Sequence, residues 1–385
     1  MVEGIRPLHL LILCLGFTLS FWDIFNVPYV ISYAGKSFDL PQSSPEVNLP
    51  LTAEMMGYFV GGAINGFIGT RMGRKTGLLS SMILVTVGSA LAFSSGSFLQ
   101  LTLAEFVIGL GIEGEIALVP TYISETTTPE NRGKAVGIVT VGGFAVSMTV
   151  GPFAVLLGQG NWRLLYLASL LLSAVAVLTR LKLPESRLWR PMRIQIQWRK
   201  TKRLLLLLLA WSLSYAAGYS FFSNPLFLLL GDKGFQNVQL AYTYILYGDP
   251  LGVLIATLIN DKLERRISSS LVNVISGILM ISMPLTRGTW TLLVGFAAML
   301  TQGMKFPPMY TYTAETLSDD MRAVGSGIAD GLGHLGGAVG PLAINWLYNL
   351  SPFLSFGVMG TISALGGAAL ALGPNTKNRK LSEIL

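Results

Sequence analysis

Among the ionisable residues within long apolar runs of this sequence, eight are candidates for a role there: Asp23, Glu105, Glu113, Glu115, Asp249, Lys305, Asp330 and His334. A charge in the middle of a bilayer costs about 3 kcal/mol or more, so each calls for a partner or a task. Carboxyl groups in a dry setting can take up and release protons, and an amine or an acid there can pair with a charged solute. His334 can be neutral or cationic near physiological pH. It could hydrogen-bond a hydroxyl, pair with a carboxylate, or bond Asp330 one helical turn earlier. Lys305 is a second candidate partner for an anion, or one half of a salt bridge. Glu113 and Glu115 fall about 200° apart on a helix, so they cannot both face one narrow cavity. Tyr215, Tyr219, Phe222 and Asn224 in one run, with Tyr310 and Tyr312 in another, could wall a binding cavity or serve as packing.

Bond-making chemistry is not what these residues suggest. Cys14 is the only cysteine and there are two histidines, which leaves no disulfide framework, no thiolate metal site and no His-rich cluster. No phosphate-cradling loop and no Ser or Cys paired with a base is recognisable. The expectation is a protein that is not an enzyme and holds no metal or cofactor.

The elements that must carry these groups are membrane helices. Hydrophobic residues make up 51% of the chain and charged residues 12%, about half the charged share of a soluble domain. Runs of roughly 20 apolar residues, enough to cross a bilayer, recur throughout. We read twelve, near 8–33, 51–70, 76–95, 99–124, 133–157, 162–182, 203–230, 239–260, 268–285, 289–314, 323–348 and 352–373. The net charge of +7 reports topology rather than nucleic-acid binding. With both termini placed in the cytoplasm, nearly all Lys and Arg fall in inside segments. Only Lys36, Arg163, Lys233 and Arg287 fall outside, as the positive-inside rule expects. The longest outside loop, 34–50, carries Pro41, Pro45 and Pro50 and reads as irregular.

The second half repeats the punctuation of the first about 190 residues later. Glu125 and Arg132 recur as Glu315 and Arg322, the basic loop at 70–75 as 261–266, and Gly151-Pro152 as Gly340-Pro341. The fold expected is an all-α membrane protein of twelve transmembrane helices in two pseudo-symmetric six-helix bundles. Their bounds are 1–182 and 203–385, joined by a basic cytoplasmic linker at 183–202.

The loop Gly66–Lys75 resembles the Gly-x-x-x-Asp-Arg-x-Gly-Arg-Arg/Lys loop of the major facilitator superfamily, with Thr70 in place of the Asp. Residues 118–125 and 306–315 look like spans 4 and 10 of its branch of sugar porters, metabolite:proton symporters and organic-ion porters. Phe21-Trp22-Asp23-Ile24-Phe25-Asn26 resembles the first span of metabolite symporters. The resemblance implies a cytoplasmic gate of Arg71, Arg74, Glu125, Arg132, Asp261, Arg265, Glu315 and Arg322, with a weaker first latch because Thr70 cannot ion-pair. Glu105 stands where many sugar porters carry an Arg facing the span 1 Asp, and Glu115 where metabolite symporters carry a cavity-facing acid. Asp23, with Glu105 or Glu115, is therefore the expected proton site. Asn26, Glu115, Tyr219, Asn224, Lys305, Tyr310, Asp330 and His334 are the expected substrate residues. The resemblance implies a monomeric plasma-membrane transporter, embedded in lipid, that carries protons with a small polar organic solute by alternating access. An organic acid or related metabolite is favoured over a hexose. An organic-cation or sugar carrier of the same fold is the near alternative, and a transporter-like nutrient sensor the alternative of another class.

Overall fold

The computed structural model describes residues 5–127, 132–186, 189, 201–260, 262–317 and 319–376, without the side chains of 124, 132–134, 201, 314 and 319–327. These residues are helical almost throughout, with no strand among them. Two compact units divide the chain: Met1–Asp39 with Ala53–Ile194, and Leu40–Thr52 with Gln195–Leu385.

The first unit contains α1 (Pro7–Ser37), α2 (Leu49–Arg71, beginning in the segment grouped with the second unit), α3 (Arg74–Phe93), α4 (Phe98–Thr126), α5 (Arg132–Phe153) and α6 (Arg163–Arg180). Proline at the first helical position starts α1, where the missing N–H costs nothing. Ser97 caps α4 by accepting the Gln100 N–H at 3.2 Å. Just after Pro152 the fifth helix widens into a π turn over Ala154–Gly158, a local adjustment that can re-satisfy backbone groups freed by a proline.

The second unit contains α7 (Thr201–Phe221, resuming as Asn224–Asp232), α8 (Val238–Leu246 and Gly248–Ile259), α9 (Arg265–Ser282), α10 (Thr289–Met304 and Phe306–Thr316), α11 (Asp319–Leu350) and α12 (Pro352–Ala371). Interruptions in α7, α8 and α10 each fall just before a proline, at Pro225, Pro250 and Pro307. A proline lacks the N–H and crowds the carbonyl four residues earlier, so the hydrogen-bond ladder breaks there. Among the described residues, eight helical spans are long and apolar enough by themselves to cross a membrane.

The sequence repeat is also a packing repeat. A Cβ at Gly57 or Gly61 of α2 would collide with the carbonyls of Phe106 and Leu110 on α4. A Cβ at Gly248 or Gly252 of α8 would collide with those of Phe296 and Leu300 on α10. The Tyr122 hydroxyl donates to the Pro184 carbonyl at 2.8 Å, and that of Tyr312 to the Pro374 carbonyl at 3.1 Å. Tyr312, expected as a candidate cavity wall, is thereby a fully buried packing residue.

Segment 40–52 is not wholly irregular, since it holds a 3-10 turn at Pro45–Asn48. The Asn224 amide donates to the carbonyl of Gln42 at 2.6 Å and to Asn345 Oδ1 at 2.8 Å, and Asn345 and Asn349 both donate to the Ser43 carbonyl. Asn224, expected at the substrate, is thus occupied in fastening this segment.

Candidate functional site

Each unit gathers polar chemistry of its own kind. In the first, α6 presents Tyr166 and Ser169 three residues apart, hence on one face. The Tyr166 hydroxyl donates to Glu105 Oε1 of α4, and the Ser169 hydroxyl donates to Asp23 Oδ2 of α1 at 2.8 Å. Ser89 of α3 stands 3.0 Å from Ser169. Asp23 and Glu105 are buried and interact electrostatically. One helix therefore holds both expected proton-site acids, each by one hydroxyl. Three residues after Asp23, Asn26 is fully buried with neither amide atom hydrogen-bonded, and the Trp22 indole N–H is unpartnered as well. Buried polar atoms left without partners are rare and mark places that a ligand or water satisfies.

Glu115 has a different setting. The Arg180 guanidinium grips both of its oxygens, Nη1 donating to Oε1 at 2.5 Å and Nη2 to Oε2, while Nη1 also reaches the Leu78 carbonyl at 3.0 Å. Both side chains have no exposure. Glu115 is thus committed to a bidentate pair. Glu113 lies on another face of α4, against Gly62 of α2.

In the second unit, α7, α10 and α11 build an aromatic wall. Tyr215 stacks on His334 with centroids 4.1 Å apart and planes 27° from parallel. Tyr219 lies 5.5 Å from Tyr215 and 5.9 Å from His334, and Trp211 lies 4.8 Å from Tyr310. Asp330 stands at the polar edge of this wall, with Oδ1 accepting the Tyr215 hydroxyl at 2.5 Å and the Tyr310 hydroxyl at 3.5 Å. His334 Nδ1 faces the Asp330 carbonyl at 3.0 Å, so that nitrogen carries hydrogen. The expected bond one turn back exists, to the backbone of Asp330. Tyr310 is 42% exposed while Asp330 and His334 are buried, so the wall has an open end.

Lys305 sits at the break in α10, fully buried, donating to the Ser214 carbonyl at 2.9 Å and to Gln302 Oε1 at 2.5 Å. Asp249 is its electrostatic neighbour. Of the expected gate pairs, Arg74 meets Glu125 at 2.9 Å and Arg265 meets Glu315 at 3.6 Å. The Arg74–Glu125 pair is the shorter of the two, and Arg74 donates to Glu125 through two nitrogens and to the Gly69 carbonyl through the third. Asp261 and the side chains of Arg132 and Arg322 lie outside the described residues, as does most of the 183–202 linker. Arg71 lies over the Phe67 ring at 5.7 Å.

Sequence reasoning missed Arg180, Tyr166, Ser169, Trp211 and Glu54. Arg180 stood among the basic residues that set topology, and Glu54 sits so near the start of its span that it reads as an end residue. A neutral hydroxyl carries no signal until its partner is known.

Paired glycine-lined helices repeated in two units, with charged groups buried in each, define a multi-pass membrane transport protein. A profile of the Major Facilitator Superfamily matches residues 13–251 and 238–383, and the chain belongs to that family, whose members are transporters rather than enzymes. A Bacillus subtilis protein described as a niacin/nicotinamide transporter is 24% identical, the match covering 95% of this chain and 96% of that protein. The Escherichia coli 3-(3-hydroxy-phenyl)propionate transporter is 27% identical over 84% of this chain and 81% of its own length. Among solved structures, a D-xylose-proton symporter superposes with a TM-score of 0.80 at 16% identity, over 97% and 99% of the two chains.

Proposed function

We propose that this protein is a proton-coupled symporter for a small, flat, polar organic solute, an aromatic or heteroaromatic acid or its amide, working by alternating access. The observation that carries the reading is that Asp23 and Glu105 are buried together without an ion-pair partner among the described residues. Uncompensated acids in a dry setting are stable only by holding protons, which suits them to coupling. Solute recognition is assigned to the second unit, where the Tyr215–His334 stack offers a face for a planar ring. Tyr219, Tyr310, Asp330 and His334 serve the solute there. Glu115, Lys305 and Asn224 hold the scaffold, and the Arg74–Glu125 and Arg265–Glu315 pairs belong to the cytoplasmic gate. Support for a flat solute comes also from the two relatives named for aromatic compounds. The protein acts as a monomer in the plasma membrane, with both termini in the cytoplasm.

Organic-cation carriage is the second reading, favoured by Asp330 standing among aromatic rings, where a cation gains both charge pairing and cation–π attraction. Uptake into proteoliposomes across a pH gradient decides between them, with nicotinate, xylose and a quaternary amine as probes. Nicotinate uptake driven by an inward proton gradient is the expected result. Uptake of the amine alone, indifferent to the gradient, overturns the proposal.

A further inference from the structure

Glu54 is a third buried acid of the first unit, and the reading above gives it no task. It lies in the second turn of α2 with no exposure. Tyr58, one turn later, donates to its Oε1 at 3.1 Å, and Oε2 has no hydrogen-bond partner. Its backbone carbonyl lies against Gly109 of α4, one turn from Glu105, and its electrostatic neighbours are Glu105 and Asp23 of α1. Tyr166 of α6 interacts with all three carboxyls at once. Four helices thus bring three acids and two phenols to one place, and none of the acids is ion-paired among the described residues.

Asp23 shows the same half-satisfied pattern as Glu54: Ser169 serves Oδ2, and Oδ1 has no partner. A carboxylate offers acceptors on both oxygens, whereas a neutral acid accepts on one and carries its hydrogen on the other. One hydroxyl donor per acid suits the neutral form, and buried oxygens without partners leave a place for the proton. Three full negative charges without a cation would be far too costly in this interior.

We propose that Glu54 shares the coupling proton with Asp23 and Glu105, making the coupling site a three-carboxyl store rather than an acid pair. This rests on the proton-coupled reading. After one carboxyl has released its proton, each internal step breaks one O–H bond on a protonated neighbour and forms one on the vacant carboxylate, leaving the cluster's charge unchanged. Release to water makes it more negative by one. The groups facing Glu54 in this exchange are Asp23, Glu105, Tyr58 and Tyr166.

The test is infrared difference spectroscopy of the full chain in lipid vesicles, titrated with acid and followed at the carbonyl stretch of protonated carboxyls. Wild type is compared with E54Q, E54D, D23N and E105Q. If Glu54 shares the proton, E54Q loses a part of the buried-carboxyl band comparable to that lost in D23N or E105Q and shifts the titration of what remains, and E54D restores both. An unchanged band in E54Q overturns the proposal, as does a smaller band whose remainder titrates as in wild type. So does a wild-type band that sodium at constant pH removes, since the cluster would then be a metal-cation site. Proton movement with nicotinate, followed by a dye inside wild-type vesicles, tests the underlying reading separately. Its failure there would overturn proton coupling, while the infrared result would still judge whether the three acids share protons.

Discussion

In the first unit, the space enclosed by α1, α2, α4 and α6 is filled with acids held by hydroxyls; in the second, α7, α10 and α11 fill theirs with stacked aromatic rings around one acid. The scaffolds match closely: glycine pairs against carbonyls, a tyrosine hydroxyl on a proline carbonyl, and an Arg–Glu latch recur in both. A duplicated frame has kept its backbone approaches and let its interior side chains diverge. The sharpest divergence is at one repeat position. Glu115 is satisfied by a full counter-charge from Arg180 in direct contact, whereas Lys305 donates to neutral acceptors on Ser214 and Gln302 and has Asp249 only as an electrostatic neighbour. Helix starts diverge as well. Gly73, at φ 117°, leaves room for the Glu185 carboxylate to accept the Arg74 N–H at 2.8 Å, while the matching Glu264 caps α9 from within its own chain segment.

The largest expected effect breaks that pair of buried charges. Arg180→Ala leaves Glu115 buried without its partner, which costs about 3–5 kcal/mol, so thermal unfolding of the purified protein should fall steeply or folded protein should be lost. Replacing both residues with leucine should recover most of it. Lys305→Met removes hydrogen bonds to neutral acceptors and should cost less, about 1–3 kcal/mol; equal losses at the two positions would erase the distinction. Next in size, Tyr215→Phe removes a hydrogen bond to Asp330 worth about 1.5–3 kcal/mol. The apparent affinity for solute should weaken by roughly 10-fold to 100-fold, read as KM for nicotinate uptake, with proton coupling intact. The smallest effect is at the latches. Both are partly exposed, and Arg265→Ala should change stability by less than about 1 kcal/mol. Arg74→Ala should cost more, because three of its donor contacts go at once.

The fold was legible because a bilayer imposes length and apolarity on each crossing, and because duplication writes the same loop chemistry twice. What could not be read was partnership. Arg180 and Glu115 are distant in sequence, and no local pattern says that a basic residue near a helix end turns inward. Lys305 and His334 were open between structural and binding roles. The structure engages Lys305 within the scaffold and puts His334 on the aromatic wall, because one sits where α10 breaks against α7 and the other stacks on Tyr215. Asn224 stood among plausible cavity residues, yet the turn preceding Pro225 points it at segment 40–52. Helix interruptions in the second unit fall just before Pro225, Pro250 and Pro307, whereas Pro28, Pro120 and Pro341 sit inside helices that continue. Proline marks where a break can occur, and neighbouring packing decides whether it does.

Division of labour between the units is tested most directly by Asp23→Asn in proteoliposomes, with nicotinate counterflow and solute-driven proton uptake measured on the same preparation. Counterflow should persist while proton uptake disappears, because solute recognition does not need the acid and coupling does. Proton uptake that survives in Asp23→Asn, or counterflow that vanishes together with it in a folded protein, would contradict the assignment of coupling to the first unit and recognition to the second.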